Sequence, residues 1–216
     1  MFQKRTHYDD NIISSRIKTV ICPNCGKAHD IMINVPALYM DGSPACSMSK
    51  CMEALAVCEC GMLCGVNQYD PAWLTNEQYI AALHTQDETL RKINLFYALS
   101  ENPTILAYYI NYYHENGNQA QEQYYLQRYI SDLIQYDYTV SLPIDSNSII
   151  KCPMERTTFR AKELLVDAYR RNGQFENALD VIKLLENDIH THKYDEISKW
   201  LRVQKQLVNK RNQQLL

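Results

Sequence analysis

Seven of the eight cysteines of this chain, Cys22, Cys25, Cys46, Cys51, Cys58, Cys60 and Cys64, fall before residue 65, and the eighth is Cys152. The tightest constraint within that group is Cys22-Pro23-Asn24-Cys25-Gly26. Two thiolates separated by two residues can reach one ion across a turn, and glycine after the second permits the positive φ that aims backbone N–H groups at sulfur. A structural zinc ion takes four ligands, so a second pair must follow. Cys58-Glu59-Cys60-Gly61, behind the apolar Leu55-Ala56-Val57, repeats the Cys-Gly ending and is taken as that pair, although it is one residue shorter. Cys60-x3-Cys64 is the alternative. A two-ion cluster would need all seven cysteines and His29, and Cys46-x4-Cys51 has no turn signal between its members. The simpler reading makes Cys46, Cys51 and Cys64 small buried hydrophobes around one Zn2+ ion. Cys152 reads as an ordinary loop or packing thiol.

The cysteine asymmetry marks a boundary. Residues 1–70 are read as a small four-cysteine β domain, with a strand over 17–21 leading into the first pair, a return strand over 28–35, and a turn at Asp41-Gly42-Ser43-Pro44. The segment 52–57 fits either a strand or one helical turn. From Pro71 the character changes: only Gly117 and Gly173 remain of six glycines, and Leu, Ile, Tyr and Ala recur at helical spacing. Helices are expected over about 71–85, 87–100, 103–116, 119–137, 156–172, 175–190 and 194–213. Pro103 suits a first helical position, and Gly117 and Gly173 suit left-handed helix caps. Residues 138–153 read as an insertion, and 194–213 as a C-terminal capping helix. The fold class is thus mostly α behind a small β zinc-binding region.

The two helical glycines head an internal echo, Tyr113-His-Glu-Asn-Gly117 and Tyr169-Arg-Arg-Asn-Gly173. The second copy, Leu165-x3-Tyr169-x3-Gly173-x-Phe175-x2-Ala178, resembles the tetratricopeptide repeat (TPR), in which a large residue, a turn glycine, an aromatic and a small residue fall at these offsets. The first copy departs from it, with Gln119 and Glu122 at the aromatic and small positions, and the glycines lie 56 positions apart, beyond the usual period of about 34. As a whole the chain resembles uncharacterised bacterial zinc-ribbon proteins with a Cys-Pro-x-Cys knuckle ahead of a TPR-like helical region. That resemblance implies an architecture of stacked αα-hairpins and no activity.

A TPR register would turn Leu165, Val166 and Tyr169 inward. It would put Arg160, Glu163, Asp167, Arg170 and Arg171 on or near an inner groove, with Asn111 and His114 at the matching first-copy positions. Asn111, His114, Arg160, Arg170 and Arg171 are therefore the expected partner-binding residues, for a protein or peptide segment of acidic character. The tyrosines, sixteen in all, are expected to serve mainly interhelical packing. No phosphate loop, dinucleotide fingerprint, nucleophile elbow or His-Glu-x2-His is present, so no enzyme and no catalytic residue is expected. His190 and His192 read as helix-terminal residues.

A net charge of −3 argues against a surface that attracts nucleic acid all round. The alternative of a nucleic-acid-associated protein rests on the zinc-binding element and on Lys199, Arg202, Lys205, Lys210 and Arg211. The basic start, Met1 to Arg5, leads into Tyr8-Asp9-Asp10 rather than an apolar stretch, so no secretory leader is expected. No run is long enough to span a bilayer. A cytoplasmic protein with reduced thiols, acting as a zinc-stabilised interaction scaffold or adaptor, is the reading that follows.

Overall fold

A computed structural model describes residues 12–36, 47–66, 69–99, 105–135, 154–192, 195–211 and 213. Four of the sequence's expectations lie outside the described residues: the turn at 41–44, Pro103, the insertion at 138–153, and Cys46 with Cys152. The chain divides into two compact units, 1–122 and 123–216.

In the first unit, β1 (Ile12–Ile21) and β2 (Ala28–Pro36) form an antiparallel hairpin. Its register pairs Ile21 with Ala28, Ile17 with Met32 and Ser15 with Asn34, and slips by one residue at Ile13. β-Branched residues supply the pleat, and two side-chain bridges cross it, Ser15 Oγ to Asn34 at 2.8 Å and Thr19 Oγ1 to Asp30 at 2.7 Å. The segment 52–57 contains a strand, β3 (Ala56–Val57), which pairs with β4 (Leu63–Cys64), and the helix α1 (Met48–Met52) lies before that strand and reaches the segment only at Met52. The Glu115 carboxylate, from the far end of the unit, accepts the Met48 N–H at the start of α1.

The stretch read as one helix over 71–85 is two elements. A 3-10 turn (Pro71–Thr75) is capped by Asp70, whose carboxylate accepts the Ala72 N–H at 2.9 Å. Then α2 (Glu77–Leu83) restarts at Asn76, whose side chain accepts the Tyr79 N–H at 3.0 Å. Asn76 is extended (φ −77°, ψ 124°) and breaks the helix while capping its successor. α3 (Glu88–Leu99) and α4 (Leu106–Glu115) follow, joined by edge-to-face contact of Tyr97 with Tyr109 and by Phe96 against Tyr108. Here tyrosine serves interhelical packing, as expected.

The compact unit runs past the change of character at 71 because the cysteine segment shares buried contacts with the helices that follow. Leu63 of β4, Tyr79 and Ala82 of α2 and Leu95 of α3 form one buried cluster, and Tyr79 is wholly enclosed.

α5 (Gln119–Gln135) spans the division. The second unit continues with α6 (Met154–Arg171), α7 (Phe175–His192) and α8 (Asp195–Asn209), packed around Val166, Ala178, Ile182, Leu185, Leu201 and Val208. Val166 faces inward as expected, Tyr169 and Phe175 pack on the cluster's edge, and Ala178 is completely buried between helices.

The internal echo is structural as well as sequential. Gly117 (φ 67°) and Gly173 (φ 72°) are both left-handed. Asn118 N–H reaches back to Tyr113 C=O at 2.9 Å, and Gln174 N–H to Tyr169 C=O at 2.8 Å, the same six-to-one closure of a helix end. No described helix is long and apolar enough to cross a membrane.

Candidate metal centre

Both cysteine pairs sit in the turns of antiparallel hairpins. In the first, between β1 and β2, Cys22 N–H bonds Lys27 C=O at 2.8 Å and Gly26 N–H bonds Cys22 C=O at 2.9 Å. In the second, between β3 and β4, Cys58 N–H bonds Met62 C=O and Gly61 N–H bonds Cys58 C=O, both at 2.8 Å. The second turn is the first shortened by one residue in both hydrogen bonds. The shorter spacing from Cys58 to Cys60 is therefore absorbed by a tighter turn of the same design. Gly26 (φ 75°) and Gly61 (φ 87°) take the positive φ that each closure needs.

The two turns face each other and bring Cys22, Cys25, Cys58 and Cys60 together, with all four sulfurs within 4.8 Å of one another. Across the gap Cys22 Sγ lies 3.6 Å from Cys60 Sγ, and Cys25 Sγ 3.4 Å from Cys58 Sγ. Four thiolates about 2.3 Å from a central zinc ion would stand about 3.8 Å apart at tetrahedral angles, so the spacing fits a metal of that size. Lys27 and Glu59, one from each turn, close the outer side with an ion pair of 2.5 Å. On the inner side Cys22, Cys58, Met62 and Cys64 are buried together, with Val20, Trp73 and Leu74 against them.

The electrostatics ask for a cation. Burial pushes the Cys22 thiol up, but the backbone N–H groups of Cys25 and Asn24 and the neighbouring Cys60 and Cys25 thiols outweigh it and bring it to about 6. The Asn24 side chain, more than any other group, lowers Cys60. For Cys58 the Cys60 N–H pulls down, yet burial and the surrounding thiols push it up to about 12. The cluster carries some thiolate charge and resists carrying four, because like charges this close oppose one another. A dication would remove that opposition.

Cys64, the alternative ligand, stands on β4 behind the cluster with its thiol toward Met62 C=O at 3.7 Å, and burial with the charge on Cys22 pushes it up to about 12. It is not one of the four converging sulfurs. Cys51 is on α1, and neither it nor His29 belongs to the group.

The expected partner-binding residues are dispersed. Arg170 is wholly buried: its Nη2 lies 2.5 Å from Asp167 and its Nε donates to Gln204 Oε1 of α8 at 3.0 Å. Arg171 is buried beside the same carboxylate, at 4.0 Å. Both are buried rather than lining an open groove, and Arg170 lies under α8 at the Gln204 contact. Asn111 is buried in α4. His114 is half-exposed, and its Nδ1 lies 3.0 Å from Glu122. Arg160 is on α6, and its side chain lies outside the described ones. Sequence reasoning missed the role of Tyr79, whose hydroxyl accepts from Leu63 N–H and donates to Gly61 C=O, pinning the second cysteine turn. No family model, curated protein or solved structure matches this chain.

Proposed function

We propose that this chain is a non-catalytic interaction module of the cytoplasm, in which one Zn2+ ion held by Cys22, Cys25, Cys58 and Cys60 keeps the N-terminal unit in shape. The convergence of the four sulfurs within 4.8 Å of one another carries the reading. Four sulfur ligands fill a tetrahedral ion and leave no position for a substrate or an activated water, which supports a structural metal over a catalytic one. Borderline-soft thiolates in a small, closed site favour zinc over hard oxygen-seeking cations.

The α6–α7 hairpin, with its left-handed Gly173, edge-packed Phe175 and buried Ala178, is assigned as a TPR-like unit, and its business is binding protein. Arg170 and Arg171 belong to the interior, so a partner surface on these helices is built from other residues. The nucleic-acid alternative is weakened by the use of two of its cations within the unit: Lys205 of α8 pairs with Glu186 at 2.7 Å, and Arg211, past the end of α8, lies over the Phe175 ring.

Elemental analysis of the purified full chain tests the proposal. One zinc per chain is expected, and a strong chelator should lower the melting temperature and loosen the first unit. A chain that purifies without metal, or that melts identically with and without chelator, contradicts it.

A further inference from the structure

We infer that the open edge of β1 is a docking site for an extended acidic peptide segment, added as a third strand to the N-terminal hairpin; this rests on the reading of the chain as an interaction module. Among the described residues no strand pairs with β1 other than β2. Among those residues the outer edge of β1 has no strand against its N–H and C=O groups, the condition for strand addition.

Its side chains are unusual for an edge left to solvent. Ile13, Ile17 and Ile21 are 71, 68 and 60% exposed. Ile17 and Ile21 share one face, where β2 sets Met32 and Ala28 opposite them. Thr19, bonded to Asp30, separates the two isoleucines, and large exposed apolar side chains on a strand edge are suited to contact with another chain.

The opposite face of β1 decides the occupant. Arg16 and Lys18 project there, exposed and two residues apart. In the antiparallel register that lays Ile17 on Ile17 and Ile21 on Ile13, a second copy would set Arg16 opposite Lys18 on both sides of the two-fold axis. Like charges directly opposite destabilise strand pairing. An incoming strand with apolar residues alternating with Asp or Glu meets both faces at once: its apolar side chains cover the isoleucines, and its carboxylates meet Arg16 and Lys18. The same two cations repel a copy of β1 in that register and attract an acidic strand.

The probes are two fluorescein-labelled seven-residue peptides, one alternating valine with glutamate and one alternating valine with lysine, titrated into the full chain by fluorescence polarisation. The glutamate peptide should bind at least about tenfold more tightly, and the double variant R16E/K18E should reverse the preference. Both substitutions are at exposed positions, and the reversal itself reports that the variant is folded. Amide shifts in the NMR spectrum should concentrate in residues 12–21. Equal binding of the two peptides, binding of neither, shifts confined to the helices, or dimerisation through β1 on sedimentation each overturn the inference. Metal content is measured on every sample. A metal-replete chain without peptide preference refutes the docking site alone, and a metal-free chain refutes the zinc-held module.

Discussion

The Tyr79 hydroxyl accepts the Leu63 N–H at 2.8 Å and donates to Gly61 C=O at 3.0 Å, so one side chain of α2 satisfies both edges of the second cysteine turn. Burial pushes this phenol up to about 12, so it remains a neutral donor throughout the working pH range. Tyr79→Phe strands a buried N–H and a buried C=O. It should cost about 1–3 kcal/mol and speed metal loss to a chelator, read by thermal melting and by the release rate.

Gly65 and Gly26 both have positive φ, but only one is hemmed in. A Cβ on Gly65 would stand 2.4 Å from the Ala54 carbonyl oxygen, whereas one on Gly26 meets nothing within 4 Å. Gly26→Ala should cost about 1–2 kcal/mol, the price of the backbone conformation alone. Gly65→Ala should cost clearly more, because the clash is with backbone. Denaturant melts of the two variants give the order.

Arg170 is fully enclosed, and the Asp167 carboxylate is one of its partners. Asp167→Ala removes a carboxylate from a buried guanidinium and should cost about 1–3 kcal/mol, or roughly 2–12 °C in melting temperature. The loss should be far smaller for Asp180→Ala, whose pair with Lys183 is exposed on both sides.

Metal binding should release protons. Cys58 is held up near 12 and is protonated at neutral pH in the free site, while a metal-bound thiol is a thiolate. Apparent affinity should therefore rise with pH, most steeply below about 6, where Cys22 too is protonated in the free site, and still above it, where Cys58 must give up its proton. Calorimetry in buffers of different ionisation enthalpy counts the protons, and an affinity independent of pH would speak against thiol ligands.

The parts of this molecule legible in its sequence are the local ones. Cys22 and Cys25 are fixed by their own turn, and the caps at Gly117 and Gly173 by the absence of Cβ. The pair Cys58 and Cys60 is suggested by the repeated Cys-Gly ending behind a short apolar run, with Cys60 and Cys64 as the alternative. That a turn one residue tighter would still aim both sulfurs inward depends on the hydrogen bond from Cys58 to Met62, which no spacing rule contains. The break at Asn76 was signalled by Asp70-Pro71 and Asn76 themselves, and the apolar periodicity running across it masked the signal. Arg170 was misplaced for a different reason. Helical periodicity puts it on a polar face of α6, and only the arrival of α8, with Gln204 at the contact, turns that face inward.

X-ray absorption at the zinc edge of the purified full chain tests the central claim most directly. Four sulfur scatterers at about 2.3 Å, retained in Cys64→Ser and Cys51→Ser and lost in Cys58→Ser and Cys60→Ser, is the result this account predicts. A mixed shell with nitrogen or oxygen, or a full sulfur shell surviving the loss of Cys58 or Cys60, would contradict it.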